Sequence, residues 1–147
     1  MRVFRVLAGV VLVAVLTGCG DEEASTAVAS SSTPPLFVND ASRSDAGAAA
    51  EIEGVLSVRS GCLWVGRYPA IWPRGTAWDG PSRTLRLPGD DEVPIGTKVA
   101  GGGAYVNLDH VASEFGDEMR DAISRCGGAE VEIAVFNNGA PVVVAEG

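Results

Sequence analysis

The strongest constraint on the fold is the way glycine and proline divide residues 51–144 into short, strand-like runs. Residues 52–58 alternate apolar and polar side chains with interruptions, residues 59–61 carry a tight-turn signal, and residues 62–65 resume as a second strand. This pattern predicts a β-hairpin. Further strands are predicted at residues 70–72, 76–78, 83–87, 98–106, 130–136 and 141–144.

One later segment has a helical period instead. Between Asp109 and Arg125, apolar side chains recur every four residues and a glycine pair follows. Asn107 or Asp109 can cap the start, and Gly116 permits a kink or a split in the middle. Many short strands with one helix in the C-terminal half favour a small α+β fold, an OB-like or related β-barrel with the helix over an apolar mouth.

The first 18 residues have the layout of a bacterial export signal. Two arginines precede an almost purely aliphatic stretch over residues 6–16, and the run is shorter than the roughly 20 residues of an uncleaved membrane span. The sequence Leu16-Thr17-Gly18-Cys19 resembles the lipobox of bacterial lipoproteins. The resemblance implies removal of residues 1–18, lipid (palmitate-type acyl chains) on Cys19, and anchoring at the extracytoplasmic face of a bacterial cell membrane. An ordinary secretory signal, which would leave Cys19 as a free thiol, is the alternative.

Charge and composition describe what would follow the signal. Cleavage would remove two arginines and no acid, so the formal charge would fall from −8 to −10, which argues against nucleic acid as a partner. Residues 19–50 are rich in Asp, Glu, Ser, Thr and Ala, which predicts a flexible tether ahead of a globular domain over residues 51–147. A docked strand near residues 36–38 is the alternative for part of that tether.

Three motifs in the domain, residues 61–64, 71–76 and 96–103, resemble a class of small uncharacterised bacterial secreted or lipoprotein domains. The resemblance covers roughly residues 51–106. It supports the barrel-like fold and implies no activity.

Two cysteines remain beside Cys19. An even pair in an exported domain predicts a disulfide between Cys62 and Cys126. A reactive thiol is the alternative, and its only available histidine base is His110. His110 lies at the predicted helix start, where a solvated role is favoured over a metal or catalytic one.

Common catalytic and nucleotide-binding motifs, such as Gly-x-Ser-x-Gly, His-Glu-x-x-His and the P-loop, do not occur in this sequence. Residues 101–103, three consecutive glycines, are read as a bulge or barrel corner, since no P-loop Lys-Ser/Thr follows them. Residues 90–92 are acidic but lack the alternating spacing of an EF-type calcium loop, so a solvated turn is expected. We predict no metal, cofactor or catalytic residue.

The most distinctive candidate site is aromatic and basic. Four aromatic residues, including all three tryptophans, lie within residues 64–78, and residues 59–98 carry six basic and four acidic side chains, whereas residues 107–132 carry seven acids and two arginines. Exposed tryptophans beside arginines bind sugars, peptide strands or acidic protein faces. The alternative is that Trp64 and the others fill the barrel core. The predicted binding rim consists of Arg67, Trp72, Arg74 and Trp78.

These observations predict a non-enzymatic, membrane-anchored binding domain whose partner is an envelope protein or glycan. An envelope hydrolase or carbohydrate-active enzyme is one alternative, with Asp79 and Asp91 as carboxylates and His110 as an auxiliary. A purely structural envelope protein is the other.

Overall fold

The computed structural model describes residues 33–40 and 50–145. The predicted export signal and the predicted lipidation site Cys19 lie outside the described residues. The elements within them are, in chain order, β1 (Phe37–Asn39), β2 (Ala50–Arg59), β3 (Cys62–Val65), β4 (Tyr68–Pro73), β5 (Ala77–Asp79), β6 (Thr84–Arg86), β7 (Glu92–Pro94), β8 (Lys98–Val106), α1 (Leu108–Phe115), α2 (Asp117–Gly127), β9 (Ile133–Phe136) and β10 (Val142–Val144).

Five of these strands form a closed barrel. Strands β2, β3 and β4 pair antiparallel in sequence order, β8 pairs antiparallel with both β2 and β9, and β9 closes the circle by pairing parallel with β4. The domain is therefore a small, mainly β, α+β barrel, which confirms the predicted fold class. Strands β5, β6 and β7, which follow β4 and precede β8 in the sequence, form a separate antiparallel sheet.

Two glycines allow the barrel walls to approach closely. The long strand β2 pairs first with β8 and then, from Leu56 onwards, with β3. Gly54 lies at this change of partner, and a Cβ there would stand 2.5 Å from the backbone nitrogen of Gly66. A Cβ at Gly103 would overlap the carbonyl oxygen of Val135. The triple glycine thus belongs to strand β8, and close packing explains Gly103.

The barrel interior is apolar and extends into the small sheet. Trp72 of β4 and Phe136 of β9 are the largest of its fully buried side chains. Leu85 and Val93, from β6 and β7, belong to the same core cluster. The small sheet is thereby fixed to the barrel by shared apolar contacts.

The helices cover the outer wall of the barrel. The single helix expected from Asp109 to Arg125 is divided at Gly116, whose φ of 90° ends α1 before α2 begins. Val111 and Ile123 pack with Ile71 and Val135 in a second core cluster, distinct from the barrel interior. The expectation that the helix covers a mouth of the barrel was wrong. Side chains alternate in direction along β4 and β9, and both strands carry apolar side chains on the outer face as well as the inner one. The helices pack on that outer face.

The predicted cysteine pair lies in this outer layer. Cys62 begins β3 and Cys126 lies near the end of α2, with their Cα atoms 5.8 Å apart and their sulfur atoms at disulfide-bonding distance. The pair ties the helical layer to the barrel across 64 residues of sequence.

The N-terminal strand considered as an alternative is present. β1 pairs parallel with β4, and Phe37 and Asn39 are buried. The side-chain nitrogen of Asn39 donates a hydrogen bond to the carbonyl oxygen of Phe136 at 3.0 Å. Residues 33–40 therefore belong to the folded domain, ahead of the boundary expected at residue 51.

Candidate functional site

A groove beside Trp78 is the best candidate for a binding site. It lies where the turn after β5 meets the end of β2 and the segment that precedes β1, and its volume is about 400 Å³. That volume falls in the range of small-ligand sites. The residues that line this groove, called here the Trp78 groove, are Thr33, Pro34, Val58, Trp78, Gly80, Pro81 and Arg83.

Trp78 supplies the aromatic wall of this groove. Its ring is partly buried and packs against the barrel core cluster, while its backbone pairs with Leu85 of β6. Its indole Nε1 is buried and has no hydrogen-bond partner among the described residues. A Cβ at Gly80 would stand 3.7 Å from that nitrogen and 3.9 Å from the hydroxyl of Thr33. The absence of a side chain at residue 80 therefore leaves space beside the edge of the indole.

The turn after β5 is held in a fixed shape. The Ser82 hydroxyl donates a hydrogen bond to a carboxylate oxygen of Asp79 at 2.8 Å, and the backbone N–H of Arg83 donates to the carbonyl of Gly80 at 3.2 Å. The carbonyl of Arg83 accepts from the N–H of Ile95 at 3.2 Å. Asp79, a carboxylate in the enzyme hypothesis, thus holds this turn in place.

Arg83 is the charged residue of the Trp78 groove. Its φ of 53° lies in the left-handed region, which fixes an unusual backbone direction at the rim. Its side chain is exposed, and no ion pair or hydrogen bond engages the guanidinium among residues 33–40 and 50–145. The groove therefore combines apolar walls with the Arg83 guanidinium, which has no partner among the described residues, and the Trp78 indole N–H is buried behind its wall.

The prediction that Trp72 lies at a binding rim was wrong. Trp72 is completely buried, and its ring stacks on Phe136 with 5.0 Å between centroids and 20° between planes. Trp72 lies within β4, which continues through Pro73, so the irregular segment begins only after this residue. The core alternative holds for Trp72.

Trp64 and Trp78 are partly buried instead. Trp64 lies against the helical layer, where its Nε1 donates to the Arg59 carbonyl at 3.0 Å. The Arg59 guanidinium carbon lies 5.8 Å from the Trp64 ring centroid.

Arg74 is exposed but already engaged. Its guanidinium donates to the backbone carbonyl of Asp40, and its backbone N–H donates to the side-chain oxygen of Asn138 at 2.7 Å. These bonds join β1 and the β9–β10 connection to the end of β4. Arg74 thus has a clear structural role and lies outside the lining of the Trp78 groove.

Arg67 lies at the other end of β4 from Arg74. The two arginines flank the six residues of this strand and are separated by about 23 Å, at roughly 3.3 Å for each of the seven steps between them. The Arg67 guanidinium lies 4.9 Å from the ring centroid of Tyr68, which in turn lies 4.5 Å from that of Tyr105. A hydrogen bond with Tyr68 raises the pKa of Arg67. The four predicted rim residues therefore do not form one site.

The other singled-out residues remain apart from this groove. His110 is exposed in the first turn of α1, and its backbone N–H donates to the side chain of Asn107, the helix cap, at 2.9 Å. Asp90 and Asp91 are exposed in a turn, as expected, and Glu92 forms an ion pair with Arg86 at 3.3 Å. Within the described ranges, no group of three or more His, Cys, Asp or Glu side chains is arranged to hold a metal ion.

Several groove residues were missed by sequence reasoning. Gly80 and Pro81 belong to the glycine and proline residues that separate the predicted strands, and Arg83 is one of the six basic residues within residues 59–98. The run Trp78-Asp79-Gly80-Pro81 joins an aromatic ring to a rigid turn, which is the local signal that points to this groove. No comparable local signal marks Thr33 and Pro34, which reach the groove through tertiary structure.

Comparison with protein-family models, curated proteins and solved structures gave no match to this chain. Neither α1 nor α2, the two helices of the described residues, has the length and apolar composition needed to span a membrane.

Proposed function

We propose that this chain is a non-enzymatic recognition domain, held by lipid on Cys19 at the extracytoplasmic face of a bacterial cell membrane, and that it binds an envelope partner in the Trp78 groove. The observation that carries the binding role is the combination of an apolar groove, a partly buried tryptophan and a rim arginine that pairs with no other described residue. The export-signal resemblance at residues 16–19 supports the location.

The chemistry of the groove favours an extended peptide segment of the partner. Trp78, Pro34, Pro81 and Val58 offer apolar surface of the kind that binds proline-rich segments, whose preformed conformation lowers the entropy cost of binding. The charged group at the groove is the exposed guanidinium of Arg83, a donor without a partner among the described residues, so the matching ligand presents a carboxylate or carbonyl acceptor. A glycan would require a larger set of polar side chains than this lining provides.

The proposal is tested by calorimetric titration of the full chain with an acetylated tetraproline peptide ending in glutamate. Gly80→Leu fills the space beside the indole, and it is expected to abolish binding with little effect on the thermal midpoint, because φ at Gly80 is outside the left-handed region and a Cβ there makes only ordinary contacts. Arg83→Asn, a residue type that tolerates left-handed φ, is expected to weaken binding several-fold.

Arg67→Gln is the matched control, since it removes an exposed arginine that does not line this groove. Equal weakening by Arg67→Gln and Arg83→Asn, or full binding by Gly80→Leu, would contradict the assignment of the site. A third result would correct the ligand class and keep the recognition role. In that result an oligosaccharide of the envelope binds and the peptide does not, and Gly80→Leu blocks binding of the oligosaccharide.

A further inference from the structure

Strands β2 and β10, away from the Trp78 groove, carry exposed apolar side chains. Among the described residues, the large hydrophobic side chains that remain exposed are Val55, Val143 and Val144, at 46%, 48% and 51%. They lie on β2 and β10, which flank β8: Val55 is opposite Lys98, and Val144 is opposite the next residue, Val99. Val55 and Val143, opposite Lys98 and Ala100 of β8, share one face of the sheet, whereas Val144, opposite the buried Val99, lies on the other face, so β10 exposes an apolar side chain on each side.

The backbone of β10 is open along one side. In the part of the chain that the structure describes, β10 pairs with β8 and with no other strand. The N–H of Ala145 donates to the carbonyl of Lys98 at 2.9 Å. Because bonded and non-bonded positions alternate in an antiparallel pair, Val143 also bonds toward β8, whereas the N–H and C=O groups of Val142 and Val144 point to the open edge.

No charge and no proline lies within the three residues of β10, although the strand is short and Pro141 precedes it. Natural edge strands carry charges, proline or bulges that block pairing. The three residues of β10 are all valine, and the nearby charges of Lys98 and Glu53 neutralise each other in an ion pair. The outer face beside Val143 is also shallow, because Ala100 and Gly102 of β8 carry little or no side chain.

We propose that β10 pairs antiparallel with β10 of a second copy of this chain, about a two-fold axis at Val143. The exposed groups are self-complementary, since Val142 of one copy would exchange two hydrogen bonds with Val144 of the other, and the symmetry repeats that pair. An uncharged strand avoids placing like charges opposite each other, which matters for a chain whose net charge is −8. The proposal is independent of ligand binding in the Trp78 groove.

The register makes a sharp prediction for cysteine cross-linking. The two Val143 residues would form a non-hydrogen-bonded pair, whose Cα atoms lie about 4.5 Å apart, within the roughly 4.4–6.8 Å range of disulfides. In the full chain expressed in its own membrane, Val143→Cys is expected to give a covalent dimer on non-reducing electrophoresis. Ser113→Cys, at an exposed position of α1, is the control and is expected to give several-fold less.

A second substitution tests the hydrogen bonds directly. Val144→Pro removes an outward-facing N–H without removing a bond to β8, so adding it to Val143→Cys is expected to abolish the cross-link while the chain stays folded. Equal cross-linking at residues 143 and 113, no dimer at residue 143, or a cross-link that survives Val144→Pro would each overturn the proposal. A cross-linked product between Val143→Cys and a different protein, in place of the dimer, would overturn the assignment of a second copy.

Discussion

Trp72 and Trp78 are six residues apart, and the structure assigns them different roles that unfolding experiments can separate. Trp72 is fully buried, and a tryptophan of this kind buries about 150–250 Å² of surface. At about 25 cal/mol per Å², that area corresponds to roughly 4–6 kcal/mol, close to the 3–5 kcal/mol measured when core aromatic residues are truncated. We therefore expect Trp72→Ala to lower the free energy of unfolding by about 3–5 kcal/mol.

The assay is equilibrium unfolding in urea, with the slope of the transition compared between variants to verify that the unfolded states match. Trp72→Phe retains most of the apolar volume and removes an indole N–H that has no partner among the described residues, so a smaller loss is expected. Trp78→Ala removes a partly buried ring and should cost about 1–3 kcal/mol. A loss below about 1 kcal/mol for Trp72→Ala would refute the core assignment. If Trp72→Ala does not fold, the free energies of unfolding of Trp72→Phe and Trp78→Phe provide the same comparison, and Trp72→Phe is expected to lose more.

The remaining predictions concern the anchor, the cysteine pair and the barrel wall. Cys19→Ser should abolish labelling by a fatty-acid analogue and release the chain from membranes; a mutant that is labelled and stays bound would contradict the lipid assignment. Non-reduced peptide mapping should recover Cys62 and Cys126 in one linked species, and reduction should lower the free energy of unfolding by about 2–4 kcal/mol; two free thiols in native protein would contradict the pair. Gly103→Ala should destabilise the fold by about 1–3 kcal/mol or more, because the added methyl overlaps Val135, whereas Gly80→Ala should have little effect. Equal thermal midpoints for these two variants would count against the barrel packing.

The strands and the fold class were accessible from the sequence because they depend on local patterns. Alternation and turn residues located the β2–β3 hairpin and the long strand β8, and the apolar spacing located the helical region. Strand β7 was missed because Glu92–Pro94 has one apolar residue and a proline, and it is ordered by pairing with β6. Barrel closure joins Ala70 to Ala134 by parallel pairing, and no local pattern in the sequence encodes that contact.

The candidate site was predictable only in part, since burial of a tryptophan depends on which face of its strand it occupies. Trp72 and Trp78 both have glycine and proline nearby in the sequence. The side chain of Trp72 nevertheless points into the barrel from β4, whereas Trp78 lies on the small sheet formed by β5, β6 and β7. The part of the groove formed by Thr33 and Pro34 depends on the docking of β1 against β4. Such a contact between distant segments leaves no signal in the local composition.

The most direct test of the recognition proposal is the indole N–H spectrum of nitrogen-15-labelled protein during titration with the tetraproline–glutamate peptide. Each of the three tryptophans contributes one indole signal, and substitution of Trp78 by phenylalanine identifies its own. We expect the Trp78 signal to shift saturably while that of the buried Trp72 stays in place, and we expect Gly80→Leu to remove the shift. A Trp78 signal that does not respond, or a shift of equal size at Trp72 and Trp78, would contradict binding in the Trp78 groove.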